Sequence, residues 1–206
     1  MKRILPAVLM LPLLAGCFGS APPLPRDHYY RLIVPAAGQD AGDVLLPGVV
    51  TVEALQADGL LRERPLLFSE SGRAHELQQH NYHYWNDTPP RMLQDQMVAY
   101  LRHSGVAGLV VTPETRVRAD YQVSGKARRF ERLVGNDRPA VFVEIELALL
   151  RLSDDRLLVV DTFAAEEPAE DDSVEAAIVA LNRATARVFD GFLAQLRRSA
   201  GQVATE

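Results

Sequence analysis

The chain has 206 residues, with 22 basic and 27 acidic side chains, a net charge of −5 and a single cysteine. A moderately acidic chain without a basic stripe gives nucleic acid no footing, because phosphate contacts need clustered Lys and Arg. One cysteine permits no intramolecular disulfide.

The opening, MKRILPAVLMLPLLAGC, has three parts. Lys2 and Arg3 give a positive start, and Ile4 to Leu14 form an apolar stretch too short for a permanent span, which needs about 20 residues. Leu14-Ala15-Gly16-Cys17 then brings small residues to a cleavable bond. This is the form of a secretory signal, and a cysteine directly after Ala-Gly looks like a bacterial lipobox. The expectation is cleavage before Cys17 and acylation of that cysteine with chains such as palmitate. The competing reading is an ordinary signal peptide with a coincidental cysteine. More than one acyl chain gives a stable anchor, at about 0.8 kcal/mol per buried methylene. Phe18 stands where Asp would signal retention in the inner membrane. In a Gram-negative cell that implies the outer membrane, on its periplasmic face.

Removing residues 1–16 leaves 190 of the 206 residues and, with Lys2 and Arg3 gone, takes the net charge from −5 to −7. That length suits one substantial domain or two small ones. Nothing after Cys17 is apolar for long enough to cross a membrane. Gly19 to Arg26 (GSAPPLPR) reads as a Pro-rich, semi-rigid spacer. The expected organisation is a signal peptide over 1–16, a lipidated tether over 17–27, one domain over 28–200 and a tail over 201–206.

His28 to Val34 is aromatic and β-branched, as in a strand. Val50, Val52 and Ala54 share one face of a second strand over Val49–Leu55. Leu66–Ser69 and Tyr82–Trp85 read as short strands. Asp87-Thr88-Pro89-Pro90 combines a capping side chain with prolines tolerated in a first turn. Leu93, Met97, Tyr100 and Leu101 follow at helical spacing, and Gly105 stops that helix. Ala119, Tyr121, Val123 and Ala127 alternate with polar residues as in a strand that Gly125 interrupts, as at a bulge or a close approach. Val141, Val143, Ile145, Leu147 and Leu149 alternate with a face carrying Glu144 and Glu146. Asp154-Asp155 turns the chain into a partner strand, Leu157–Phe163. The acidic run Glu166, Glu167, Glu170, Asp171 and Asp172 reads as a solvated turn. Asp172 or Ser173 caps a last helix, with Glu175 as a capping-box acid, running to about Arg198. Val174, Ile178, Leu181, Thr185, Val188, Phe192 and Leu196 form its apolar stripe. Arg197 and Arg198 suit the negative end of its dipole. The expected fold is a single α+β domain, with two main helices packed on an antiparallel or mixed sheet.

Lipobox, Tyr29-Tyr30-Arg31-Leu32, Arg64-Pro65-Leu66-Leu67-Phe68 and Tyr84-Trp85-Asn86-Asp87-Thr88-Pro89-Pro90 follow one another, ahead of Leu93, Met97 and Leu101. In that order the chain resembles the ABC-type transport auxiliary lipoproteins, the PqiC-type partners of MCE-protein lipid transport systems. The resemblance covers nearly the whole chain after the signal and implies a non-catalytic adaptor at the outer-membrane end of a lipid route. Its implied partners are an MCE-domain protein and ABC transporter components, with a homo-oligomer left open and no cofactor. Glu70 to Asn81, rich in His and Gln, departs from the family, and no binding residue is carried over there.

His75, His80 and His83, with Glu76, make an H-x4-H-x2-H cluster that could hold zinc. Five residues separate His75 from His80, however, and a strand over 80–84 would turn His80 and His83 to opposite sides; a surface polar loop is the favoured reading. His103 reads as a dipole partner or cap. Ser124-Gly125-Lys126 lacks the upstream glycine of a phosphate loop, and no G-x-S-x-G elbow is present. Glu144 and Glu146 read as a solvated face. Tyr82, Tyr84 and Trp85 are the candidate partner or lipid contact, against a core role beside the first helix, which is favoured for Trp85. A structural lipoprotein of another envelope assembly or secretion machine, and a periplasmic metal-dependent enzyme, remain the alternatives.

Overall fold

The computed structural model describes residues 25–203 apart from 37, 39–43, 74 and 136, so the signal peptide, Cys17 and most of the tether lie outside the described residues. In chain order the described strands are β1 (His28–Tyr30), β2 (Leu46–Val52), β3 (Gln56–Ala57), β4 (Pro65–Glu70) and β5 (Leu77–Trp85). Helix α1 (Pro89–Ser104) comes next, then β6 (Ala107–Val111), β7 (Tyr121–Val134), β8 (Ala140–Arg151), β9 (Arg156–Pro168) and helix α2 (Val174–Val203).

β7 is the spine of one mixed sheet. Along one edge it pairs antiparallel with β8 from Tyr121 to Leu133. Along the other it takes three parallel partners in succession: β2 at Tyr121–Val123, β3 at Lys126–Ala127 and β4 at Arg132–Val134. Beyond β4 lie β5 and then β1; beyond β2 lies β6; beyond β8 lies β9. The α+β reading with two helices on a mixed sheet therefore holds.

The regular half follows the alternation read in its residues. Val141, Val143, Ile145, Leu147 and Leu149 of β8 are buried, while Glu144 and Glu146 between them stay partly wet. The stripe of α2 lies on these strands, with Leu181, Val188, Phe192 and Leu196 buried and Thr185 turning its hydroxyl back to the Leu181 carbonyl at 2.7 Å. Burying each such side chain contributes about 1.5–3 kcal/mol. Gly125 has the expected close approach, since a Cβ there would stand 2.2 Å from the Glu146 carbonyl oxygen; the bulge itself falls between Ala127 and Arg129. Helix α1 begins as its prolines demand, after Thr88, and ends on Gly105 at φ 67°. The Tyr100 hydroxyl donates to Asp190 and joins the two helices.

Several elements depart from the sequence reading. Only His28–Tyr30 of the first run pairs as a strand; Leu32 is buried, and the Ile33 and Val34 amides donate instead to side-chain oxygens of Asn182 and Gln96. The last helix is capped by Ser173, whose Oγ accepts from the Ala176 amide at 3.1 Å. That puts Glu175 one place short of a capping box, and the helix continues past Arg197 and Arg198 to Val203. Glu166 and Glu167 are not in a turn, because β9 extends to Pro168. Glu167 is buried and meets Arg183 at 3.8 Å and also Arg187, so its charge is compensated from α2. β6 was missed, its Gly108 and short length hiding it; a Cβ at Gly108 would come within 3.0 Å of the Gly48 carbonyl oxygen.

Candidate functional site

The His- and Gln-rich stretch read as a surface loop is β5, the strand that carries most of the candidate residues. An irregularity shapes it. Between the pairs Leu67–Gln79 and Pro65–Tyr84 the ladder slips, so two steps along β4 match five along β5. Tyr82, at φ 64°, takes up the excess in a conformation uncommon for a bulky side chain. This corrects the expectation that His80 and His83 face apart: their rings meet edge to face, centroids 6.0 Å apart. His75 lies exposed in the turn before β5 and does not join them. Among the described residues no group of three or more His, Cys, Asp or Glu is placed to hold a metal ion.

β1 lies parallel beside β5, pairing His28 with His83, Tyr29 with Tyr84 and Tyr30 with Trp85. Cross-strand neighbours on one face interact directly. Two ring systems result. On one face His28 stacks on His83 at 5.1 Å and His83 on Tyr30 at 5.8 Å, while His80 packs on Phe68 at 4.6 Å. The Tyr30 hydroxyl donates to Glu175 Oε1 at 3.0 Å, and His83 Nδ1 lies 2.9 Å from the Tyr30 hydroxyl oxygen. With its single proton given to Glu175, the hydroxyl accepts from His83, which fixes that ring's tautomer. Burial first, and then Glu175, pushes the Tyr30 hydroxyl up to about 12, so it stays protonated at neutral pH. Burial first, then Coulombic repulsion from Arg132 and His83, pushes His80 down to about 4; its Nε2 has no hydrogen-bond partner.

On the opposite face Tyr29 stacks on Tyr84 with centroids 5.7 Å apart, and the Arg64 guanidinium lies 5.2 Å over the Tyr29 ring. Arg64 Nε also donates to the Trp85 carbonyl at 3.0 Å, and the Trp85 amide to the Arg64 carbonyl at 2.7 Å. The three sequence candidates therefore part company. Trp85 is core, 1% exposed against Phe130; Tyr84 is half-buried; Tyr82 is exposed. Sequence reasoning missed His28, Tyr29, Tyr30, Arg64 and Glu175 as members of this group. The available signal was the aromatic run at 28–30, whose partner strand could not be named without β5.

A second feature is an open groove of about 470 Å³ on the outer face of β7 and β8, lined among others by Glu53, Gln122, Ser124, Lys126 and Glu146. Its cations are engaged, Lys126 with Asp58 and neighbouring Arg128 with Glu146. Glu144 and Glu146 thus sit on a salt-bridged sheet face. Ser124 shares that lining with Lys126, Glu53 and Glu146 and with no histidine.

Residues 30–191 match the model of the ABC-type transport auxiliary lipoprotein component. The chain belongs to this family. Solved structures with the same fold include protein XCC0632 from Xanthomonas campestris, described with family DUF330. It is 20% identical at TM-score 0.74, over 87% of this chain and 100% of that one. An uncharacterized protein is 16% identical at TM-score 0.59, over 88% and 99%. The hypothetical protein CT253 from Chlamydia trachomatis is 9% identical at TM-score 0.50, over 75% and 98%. These likenesses are to the fold alone. No curated protein sequence matches the chain. As a member of the auxiliary family the protein is a lipoprotein accompanying a transport system. Among the described residues no helix is long and apolar enough to cross a membrane.

Proposed function

We propose that this lipoprotein is a non-catalytic adaptor of an ABC/MCE-type lipid transport system, anchored through acylated Cys17 to the periplasmic face of the outer membrane. The observation that carries the reading is the family match over residues 30–191 in a chain whose apolar opening runs into Leu14-Ala15-Gly16-Cys17. The acyl chains hold the protein at the bilayer, and the rigid body, with α2 locked onto β8 and β9, presents a docking surface to an MCE-domain partner. The site chemistry agrees with a contact role. The half-buried Tyr30 phenol is held protonated by partial burial and by Glu175, and the imidazoles are engaged with aromatic rings. The free edges of β1, β6 and β9 offer places for a partner strand or for a second copy of the chain.

The anchor is tested by mass spectrometry of the N-terminal peptide with fractionation of envelopes. Cys17 is expected to carry acyl chains and to lead the processed chain, and the Cys17→Ser protein should leave the outer-membrane fraction. An unmodified Cys17, or a Cys17→Ser protein that fractionates like the native one, would refute it.

A further inference from the structure

The exposed aromatic face of β1 and β5 has a composition that fits a phospholipid surface better than a protein groove. Tyr29 is 57% and Tyr82 44% exposed, and Tyr84 is half-buried under Tyr29. Three arginines are exposed at this end: Arg64, stacked on Tyr29, and Arg26 and Arg31, which flank β1 in the chain. Asp27, which accepts from the Tyr29 hydroxyl at 3.3 Å, is the acid in contact with the group. Tyrosine has an apolar ring and a polar tip and settles at the boundary between acyl chains and water. Arginine is the side chain whose planar fork matches a phosphate. The local charge thus opposes the chain's net −5 and complements anionic headgroups.

Chain geometry points the same way. β1 opens at His28, eleven residues after Cys17, and the intervening segment is rich in proline. Even fully extended, at no more than about 3.6 Å per residue, eleven residues reach no further than roughly 40 Å. β1 is therefore the part of the body nearest the anchor along the chain. The edge of β9 lies at the other end of the pairing order, with β5, β4, β7 and β8 between them.

We propose that Tyr29, Tyr82, Arg31 and Arg64 rest against the headgroups of the membrane that holds the anchor, making the β1–β5 edge the membrane-facing end of the domain. The inference rests on the anchored reading above and adds an orientation to it. The bilayer leaves β9 and the outer face of β8 turned to the periplasm, open to a protein partner.

The test uses the full processed lipoprotein in vesicles of phosphatidylethanolamine and phosphatidylglycerol containing brominated phosphatidylcholine, which quenches tryptophan on contact. Native Trp85 is buried and supplies the background. Trp is introduced as Tyr29→Trp or Tyr82→Trp, and as Val160→Trp on β9, where Val160 is 57% exposed. The added emission at 29 or 82 should fall at least twofold and that at 160 by less than a tenth. Adding Arg31→Glu and Arg64→Glu to Tyr29→Trp should relieve most of its quenching. Equal quenching at 29 and 160, or none at 29, would overturn the orientation and leave the patch to a protein. Vesicle flotation of native and Cys17→Ser protein separates the two levels. Flotation lost with Cys17→Ser while position 29 stays unquenched in the native background sinks the orientation and spares the anchor. Native protein that fails to float sinks the anchor first.

Discussion

The two ends of the sheet are built on different rules. At the β8–β9–α2 end, one face is apolar at every second residue and a helix seals it, with Val143, Ile145, Leu147 and Phe192 fully buried. At the β1–β5 end, rings stack across strands at 5.1–5.8 Å and much of their surface stays open, while an irregular strand with Tyr82 at φ 64° arranges them. The first end holds the fold. The second leaves Tyr29 and Tyr82 open to solvent. A partly open surface that gathers tyrosine, histidine and arginine is suited to contact.

The comparison can be broken by substitution, read as unfolding free energy by chemical denaturation of the lipoprotein in detergent. The largest loss is expected from Phe192→Ala, about 3–5 kcal/mol, because the ring is wholly buried and meets Phe163 edge to face at 5.8 Å. Next comes Gly125→Ala, about 1–3 kcal/mol, since the new methyl meets the Glu146 backbone, which cannot swing aside. A loss below about 0.5 kcal/mol at either position would remove the distinction between the two ends.

The β1–β5 end should respond to pH instead. His80 is held near 4 by burial and by Coulombic repulsion from Arg132 and His83, with Asp172 opposing them and Phe68 packed on its ring. Its folded value lies below the unfolded value of 6.5, so between the two the unfolded chain binds more protons. This contribution is complete above pH 6.5 and is lost as pH falls to about 4. Allowing for partial exposure, it is of order 2 kcal/mol. Denaturation series at pH 7, 5.5 and 4 should show the slope in the native protein and a flatter one in His80→Gln. An equal slope in both would assign the acid sensitivity to another group. Tyr30→Phe removes a hydrogen bond between β1 and α2 and should cost about 1 kcal/mol. Tyr29→Ala, on the exposed side, should cost least, within about 0.5 kcal/mol.

The same contrast explains what could be read without coordinates. Val141 to Leu149 and the stripe from Ile178 to Leu196 show their burial as periodicity, because the pattern and the environment share one period. The Thr88-Pro89-Pro90 start and Gly105 stop of α1 are local and equally legible. Of β5 only the end, Tyr82–Trp85, was legible, since Gln78, Gln79, His80 and Asn81 carry no alternation and the displaced register at Tyr82 erases any longer period. The burial of Glu167 was hidden too, because its partners Arg183 and Arg187 are two turns into another element. The candidate site was half visible: Tyr82 and Tyr84 were named, Trp85 was weighed toward core, and Tyr29 waited on a parallel pairing that links residues more than fifty apart.

The central claim, that this body is an adaptor within a transport complex, meets its most direct test in affinity capture of the native lipoprotein from crosslinked envelopes with mass spectrometry of what comes with it. The account expects an MCE-domain protein together with ABC transporter components. Recovery of a different envelope assembly or secretion machine, with no transport component present, would contradict it.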